Sequence, residues 1–274
     1  MKKLYLVLMF ALLQLAAWAQ LSLAPTAVYL DKYGIGNLYV SNNSGVAQEI
    51  SVSFQFGYSD QDSAGTLIMR YDDSTNARDF GLNPYLKAFP RTFILPPNQQ
   101  QIVRLQARVP KGKAPGVLFT RIKVVSSPQT QDIGTTDDTT GIATRVNLRF
   151  EQVIVAFFKN GDVSTGVQIN KVESKVDSNL LSMDFHYKTT GNAPYLGQVR
   201  MTIKDAAGKI LSENRNTVAL YFTGRRRFFF TLPEGSSRDY FSADFVFETL
   251  RNDIPSEDLI QAPPIKHQAV LVPK

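Results

Sequence analysis

The stretch Arg145 to Phe158 reads RVNLRFEQVIVAFF. In its first half Val146, Leu148 and Phe150 are apolar, while Arg145, Asn147, Arg149 and Glu151 are polar. Period-two alternation of this kind belongs to a strand with one buried face. From Val153 to Phe158 the chain is apolar without a break, which suits a strand covered on both faces. A strand that changes character midway changes surroundings midway. Its second half closes a core. Alternation alone leaves open what Val146, Leu148 and Phe150 rest against, with the chain's own core as the default.

Strand signals continue on both sides of this stretch. Upstream they fall at Ala27 to Leu30, Asn37 to Asn42, Ile50 to Phe56, Phe93 to Leu95, Gln101 to Leu105 and Val117 to Val125. Turn clusters such as Asn43-Ser44-Gly45 and Pro96-Pro97-Asn98 separate them. A polar stretch runs from Ser59 to Arg78, and Ser126 to Gly141 has almost no apolar residues and reads as a long hairpin loop. Downstream of Asn160 a second set follows: Val167 to Val176, Leu180 to Tyr187, Gln198 to Lys204, Thr217 to Phe222, Arg227 to Leu232 and Ser242 to Leu250. A last short strand is expected at Gln268 to Val272. Many short strands with Gly/Pro/Asn turns and no amphipathic helix predict an all-β protein of two immunoglobulin-like β-sandwich domains in tandem. Their expected extents are 20–160 and 161–274.

Residues 1–19 are set apart. Lys2 and Lys3, the apolar run Leu4 to Leu15 and Ala17-Trp18-Ala19 have the layout of a secretory signal peptide cleaved after Ala19. About 255 residues then remain, with 28 basic residues against 24 acidic ones, a charge of +4. That balance is too mild to imply nucleic acid. No later run approaches the ~20 apolar residues of a membrane span, so no stable membrane insertion is expected. The chain has no cysteine, so neither disulfides nor a thiolate site can contribute, and stability must come from apolar cores.

Catalytic chemistry is not supported. His186 lies on the polar face of an alternating strand and His267 lies near the C-terminus; surface positions are expected for both. No His/carboxylate cluster has metal spacing, and the nucleophile, phosphate-binding and dinucleotide motifs are absent. Asp72-Asp73 and Asp137-Asp138 lack the spacing of a calcium loop. No enzyme activity, cofactor or metal is expected. The run Gly224-Arg225-Arg226-Arg227-Phe228-Phe229-Phe230 reads as turn charges followed by core aromatics, with an electrostatic patch for a partner as the alternative.

The segment Phe89 to Leu105, FPRTFILPPNQQQIVRL, has an apolar strand, a Leu-x-Pro-x step, a polar turn and Val-Arg-Leu. It resembles the periplasmic pilus-assembly chaperones, the PapD-like family. The order of parts agrees over roughly Ser22 to Asn160: Ala27-Val28-Tyr29-Leu30, a strand ending at Asn42-Asn43-Ser44, Pro115-Gly116-Val117-Leu118-Phe119, a long loop and then the opening stretch. Over the second half the match is one of architecture.

The resemblance implies a periplasmic protein that lends an edge strand to an incompletely folded pilus or surface-fibre subunit, a form of strand addition. The donated side chains would be Val146, Leu148 and Phe150, together with Ile142 and Thr144. An outer-membrane usher is implied as a second partner. The family holds the subunit's carboxylate with a paired Arg and Lys between the domains. Here Thr26 and Val155 occupy those places, and neither can offset the desolvation of a carboxylate. Lys159, just past the strand, is the candidate basic residue in that cleft. The other reading is a non-catalytic exported structural or adhesion protein that kept the scaffold and lost the cleft.

Overall fold

A computed structural model describes residues 21–129, 148–235 and 240–271. Ile142, Thr144 and Val146, the segment from 130 to 141 of the predicted loop, and the signal-like segment lie outside the described residues. The strands of the first half are β1 (Leu21–Ala24), β2 (Ala27–Leu30), β3 (Ile35–Asn42), β4 (Gln48–Gln55), β5 (Tyr58–Gln61), β6 (Leu67–Arg70), β7 (Leu86–Phe89), β8 (Thr92–Leu95), β9 (Gln100–Ala107), β10 (Gly116–Pro128) and β11 (Phe150–Asn160). One short helix, α1 (Ser74–Phe80), lies between β6 and β7.

Two sheets form the first sandwich, in the orders β1-β3-β9-β7 and β2-β11-β10-β4-β8. Period-two alternation turns Leu38 and Val40 of β3, Val103 and Leu105 of β9, Val52 of β4 and Ile122 and Val124 of β10 into one buried core. The chain crosses from the first sheet to the second between β1 and β2. As a result β2 runs parallel to β11, pairing Ala27 to Leu30 with Val155 to Phe158.

The second sandwich has β12 (Thr165–Asp177), β13 (Leu180–Gly191) and β16 (Thr223–Thr231) in one sheet. The other holds β14 (Tyr195–Lys204), β15 (Ile210–Leu220), β17 (Phe241–Glu248) and β18 (Ile265–Leu271), in the order β15-β14-β17-β18. Met183, Phe185 and Tyr187 point inward as their alternation requires, against Phe245 and Phe247.

Three sequence expectations need correcting. The polar stretch Ser59 to Arg78 contains the β5–β6 hairpin and α1. Local side chains fix both: Asp62 accepts from the amides of Ala64 and Thr66 in the turn, and Asp73 caps the helix at the amide of Asn76. Leu148 and Arg149 of the alternating stretch precede the strand and do not belong to it: β11 starts at Phe150. Ser126, where the loop was expected to begin, is still paired in β10, with Phe150 on one side and Ile50 on the other.

Candidate strand edge and the seam between the sandwiches

β11 pairs with β10 along its whole length. On its other side β2 covers only Val155 to Phe158. Among the described residues, no strand pairs with β11 from Phe150 to Ile154 on that side, so its backbone groups form a free edge. Register sorts its side chains into two rows. Phe150, Gln152, Ile154, Ala156 and Phe158 lie opposite Ser126, Val124, Ile122, Thr120 and Leu118, all of them buried. This row faces the core. Glu151, Val153, Val155 and Phe157 form the outer row.

The inward row splits into two parts. Ala156 is fully buried, and Ile154 and Phe158 pack on the first core. Phe150 is 41% exposed, and Leu148, just before the strand, is 54% exposed. Between these parts stands Gln152, whose side-chain amide donates to the Leu21 carbonyl at 2.9 Å. Two of the five residues proposed for donation, Leu148 and Phe150, are thus exposed apolar side chains at a free edge. The other three lie outside the described residues. Beside them, Lys123 pairs with Glu151 at 3.0 Å.

A third apolar cluster joins the two sandwiches. Phe56, Tyr58, Val117, Phe119 and Phe157 of the first half meet Ala193 and Tyr221 of the second, flanked by Tyr29, Phe80 and Phe222. Ring centroids lie 5.0 Å apart for Phe119–Tyr221 and for Tyr58–Phe222. Phe222 takes a positive φ of 53°, a costly conformation for a bulky residue. Burial pushes the hydroxyl pKa values of Tyr29 and Tyr221 well up, and that of Tyr187 up to about 12. A cavity of about 210 Å³ remains, walled by Phe80, Phe119, Tyr221 and Phe222, with Lys188 as its lining cation.

Val155 packs on this cluster, and Thr26 is exposed one residue ahead of β2. Lys159 is already engaged: its ammonium donates to the Glu257 carbonyl at 3.1 Å. Sequence reasoning missed Arg121, which lies directly across from Val155 in β10. Its Nε donates to the Gly57 carbonyl at 2.9 Å, and its guanidinium lies 6.0 Å from the Tyr221 ring centroid. Cross-strand register would have found it, but not distance along the chain.

The arginines are not turn charges, since all three lie within β16, whereas two of the three phenylalanines are core aromatics as expected. Arg225 donates to the Asp62 carbonyl at 3.0 Å. Arg226 is 5% exposed, lies in the inward row of β16 opposite Phe185, and donates to the carbonyls of Ala219 and Ser59. Arg227 donates from its backbone to the Gln61 side chain at 2.6 Å and from Nη1 to the Ala64 carbonyl at 3.2 Å. These cations fasten the β5–β6 hairpin of the first half to β16 of the second. Of the phenylalanines, Phe228 and Phe230 pack inward while Phe229 is 50% exposed, as alternation demands.

His186 is partly exposed and meets Glu173 at 3.1 Å; His267 lies 5.9 Å from the Phe245 ring, centroid to centroid. Among the described residues no cluster of His, Asp and Glu could hold a metal, and no helix is long and apolar enough to cross a membrane.

No family model matches the chain, and no curated protein matches it. Solved structures do. The YadV chaperone is 9% identical with a TM-score of 0.48, covering 92% of this chain and 100% of its own. The SafB chaperone, in complex with the SafA pilin of Salmonella enterica, gives 13% identity and a TM-score of 0.44, with coverages of 90% and 95%. The Acinetobacter baumannii CsuC-CsuE chaperone–tip adhesion subunit complex gives 10% and 0.41, with coverages of 93% and 100%.

Proposed function

We propose that this protein is an exported, periplasmic chaperone that stabilises an incompletely folded pilus or surface-fibre subunit by lending it the start of β11. The observation that carries the reading is the free edge of β11 with Leu148 and Phe150 exposed beside it. A subunit lacking its last strand has unpaired backbone groups and an apolar groove. Pairing with β11 satisfies the first, and alternate side chains fill the second. Burying Leu148 and Phe150 in such a groove contributes about 1.5–3 kcal/mol each before losses of side-chain freedom. The domain division falls at Asn160, between β11 and β12.

The joint between the sandwiches bears on how the subunit is held. Thr26 and Val155 offer no charge, and Lys159 is tied to Glu257, so neither matching place presents a free cation. Strand pairing therefore carries the complex without a paired-charge anchor. Expression with an affinity tag on the whole chain, followed by purification from the periplasm, tests the reading. A defined pilus or fibre subunit co-purifies with the native chain and is lost from Leu148→Glu/Phe150→Glu. Undiminished recovery of that subunit with the double variant overturns it.

A further inference from the structure

Phe150 and Ile154 point the same way from β11 and meet opposite fates. Ile154 packs on the first core, opposite the fully buried Ile122, whereas Phe150 is 41% exposed. Gln152 stands between them in the same row, opposite Val124, which is also fully buried. Its amide crosses to the carbonyl of Leu21 at 2.9 Å. Leu21 is 3% exposed and belongs to β1, a strand of the other sheet. The bridge ties the two sheets together on the side where, among the described residues, no strand pairs with β11 from Phe150 to Ile154. The polar break in the inward row separates the part of β11 packed on the first core from the part that is exposed.

We propose that Gln152 is a specificity-determining stop, setting how far along β11 a partner strand can pair. The proposal rests on the strand-donation reading. A strand lying along β11 turns every second side chain toward the seam between the sheets. Beside Phe150 such a side chain meets an exposed apolar ring. One step further it meets the Gln152 amide already bonded to Leu21. Displacing that amide leaves the carbonyl of a buried residue unpaired, which disfavours further pairing by roughly tenfold or more. The offered apolar row therefore ends at Phe150, while the core behind Gln152 stays closed with or without a partner.

Residue-resolved hydrogen exchange on the whole chain tests this, with a saturating short synthetic peptide of alternating Thr and Val as the partner strand. In the native chain, protection is gained between Leu148 and Glu151 and not at Val153 or Ile154. In Gln152→Leu the protected segment extends to Ile154, with exchange there slowed roughly tenfold. Gln152→Ser, which removes the amide without adding bulk, extends it in the same direction if the leucine variant misfolds. Protection reaching Ile154 in the native chain, or an unmoved limit in the folded variants, overturns the stop and leaves strand donation standing. No protection at Leu148 to Glu151 overturns strand donation, and the stop falls with it.

Discussion

Arg227 grips both carboxylate oxygens of Asp184, at 2.8 and 2.7 Å, across the β13–β16 pair. The same guanidinium reaches the Ala64 carbonyl, so the ion pair orients a cation that also holds the β5–β6 hairpin. Both side chains are mostly covered, at 23% and 15% exposure, so this pair is screened less than an open surface pair. Asp184→Asn keeps the shape and removes the charge. Urea unfolding is expected to show a loss of about 1–2 kcal/mol, because a partly buried guanidinium loses its bidentate partner. Amide exchange from Tyr58 to Arg70 should accelerate at the same time. Unchanged exchange in the hairpin would show that the pair stabilises the second sandwich alone.

Gly65 sits at the tip of that hairpin with φ at 90°, and a Cβ there would meet the Arg227 side chain at 3.0 to 3.1 Å. Backbone conformation and close approach both exclude a branched side chain. Gly65→Val is expected to cost about 2 kcal/mol or more, with the hairpin detaching before the sandwiches unfold. The check is a native-state exchange experiment comparing β5–β6 with β13. Parallel behaviour of the two would contradict it.

The two sandwiches were legible because their strands alternate cleanly, as Met183, Phe185 and Tyr187 do against Asp184, His186 and Lys188. The hairpin was not. Its Leu67, Ile68 and Met69 are consecutive and remain 68%, 37% and 39% exposed, so no period-two pattern marks them. What holds the hairpin is Arg225 to Arg227, on a distant strand, and local pattern carries no trace of such contacts. Arg226 misled for the same reason: beside two other arginines it looked like a turn charge, yet its strand register places it inside. The candidate site was legible in part. Alternation and the family resemblance pointed to Leu148 and Phe150. Gln152 was passed over because its partner, Leu21, is far away in sequence.

Asp73 gives the first half a pH signature. Burial alone would raise its carboxyl, but hydrogen bonds from the backbone and side chain of Asn76 and from the Tyr58 hydroxyl outweigh it and hold the pKa below the usual range. A depressed folded pKa means that the contribution is complete above the unfolded value, about 3.9, and is lost as pH falls through the folded one. Asp73→Asn can still cap α1 but loses the charge-assisted bonds. It should cost about 1 kcal/mol at pH 7, and the difference from the native chain should shrink as pH drops below 4. Urea titrations at several pH values measure this; a difference that stays constant or grows on acidification would count against it.

Phe150 and Ile154 offer a test of the β11 boundary that needs no partner. Both face inward from one strand, so a description by secondary structure alone gives them equal weight. Their surroundings differ: Ile154 is packed on the first core, and Phe150 lies beyond the Gln152–Leu21 bridge at 41% exposure. Phe150→Glu should change the unfolding free energy by less than about 1 kcal/mol, since the carboxylate stays in water. Ile154→Glu places the same charge against Ile122 and should cost about 3 kcal/mol or more, or abolish folding. Ile154→Ala, expected to lose about 2 kcal/mol, keeps the comparison measurable in that case. A large loss at Phe150 would mean that its side chain serves this chain's own core, and then it is not free to be lent.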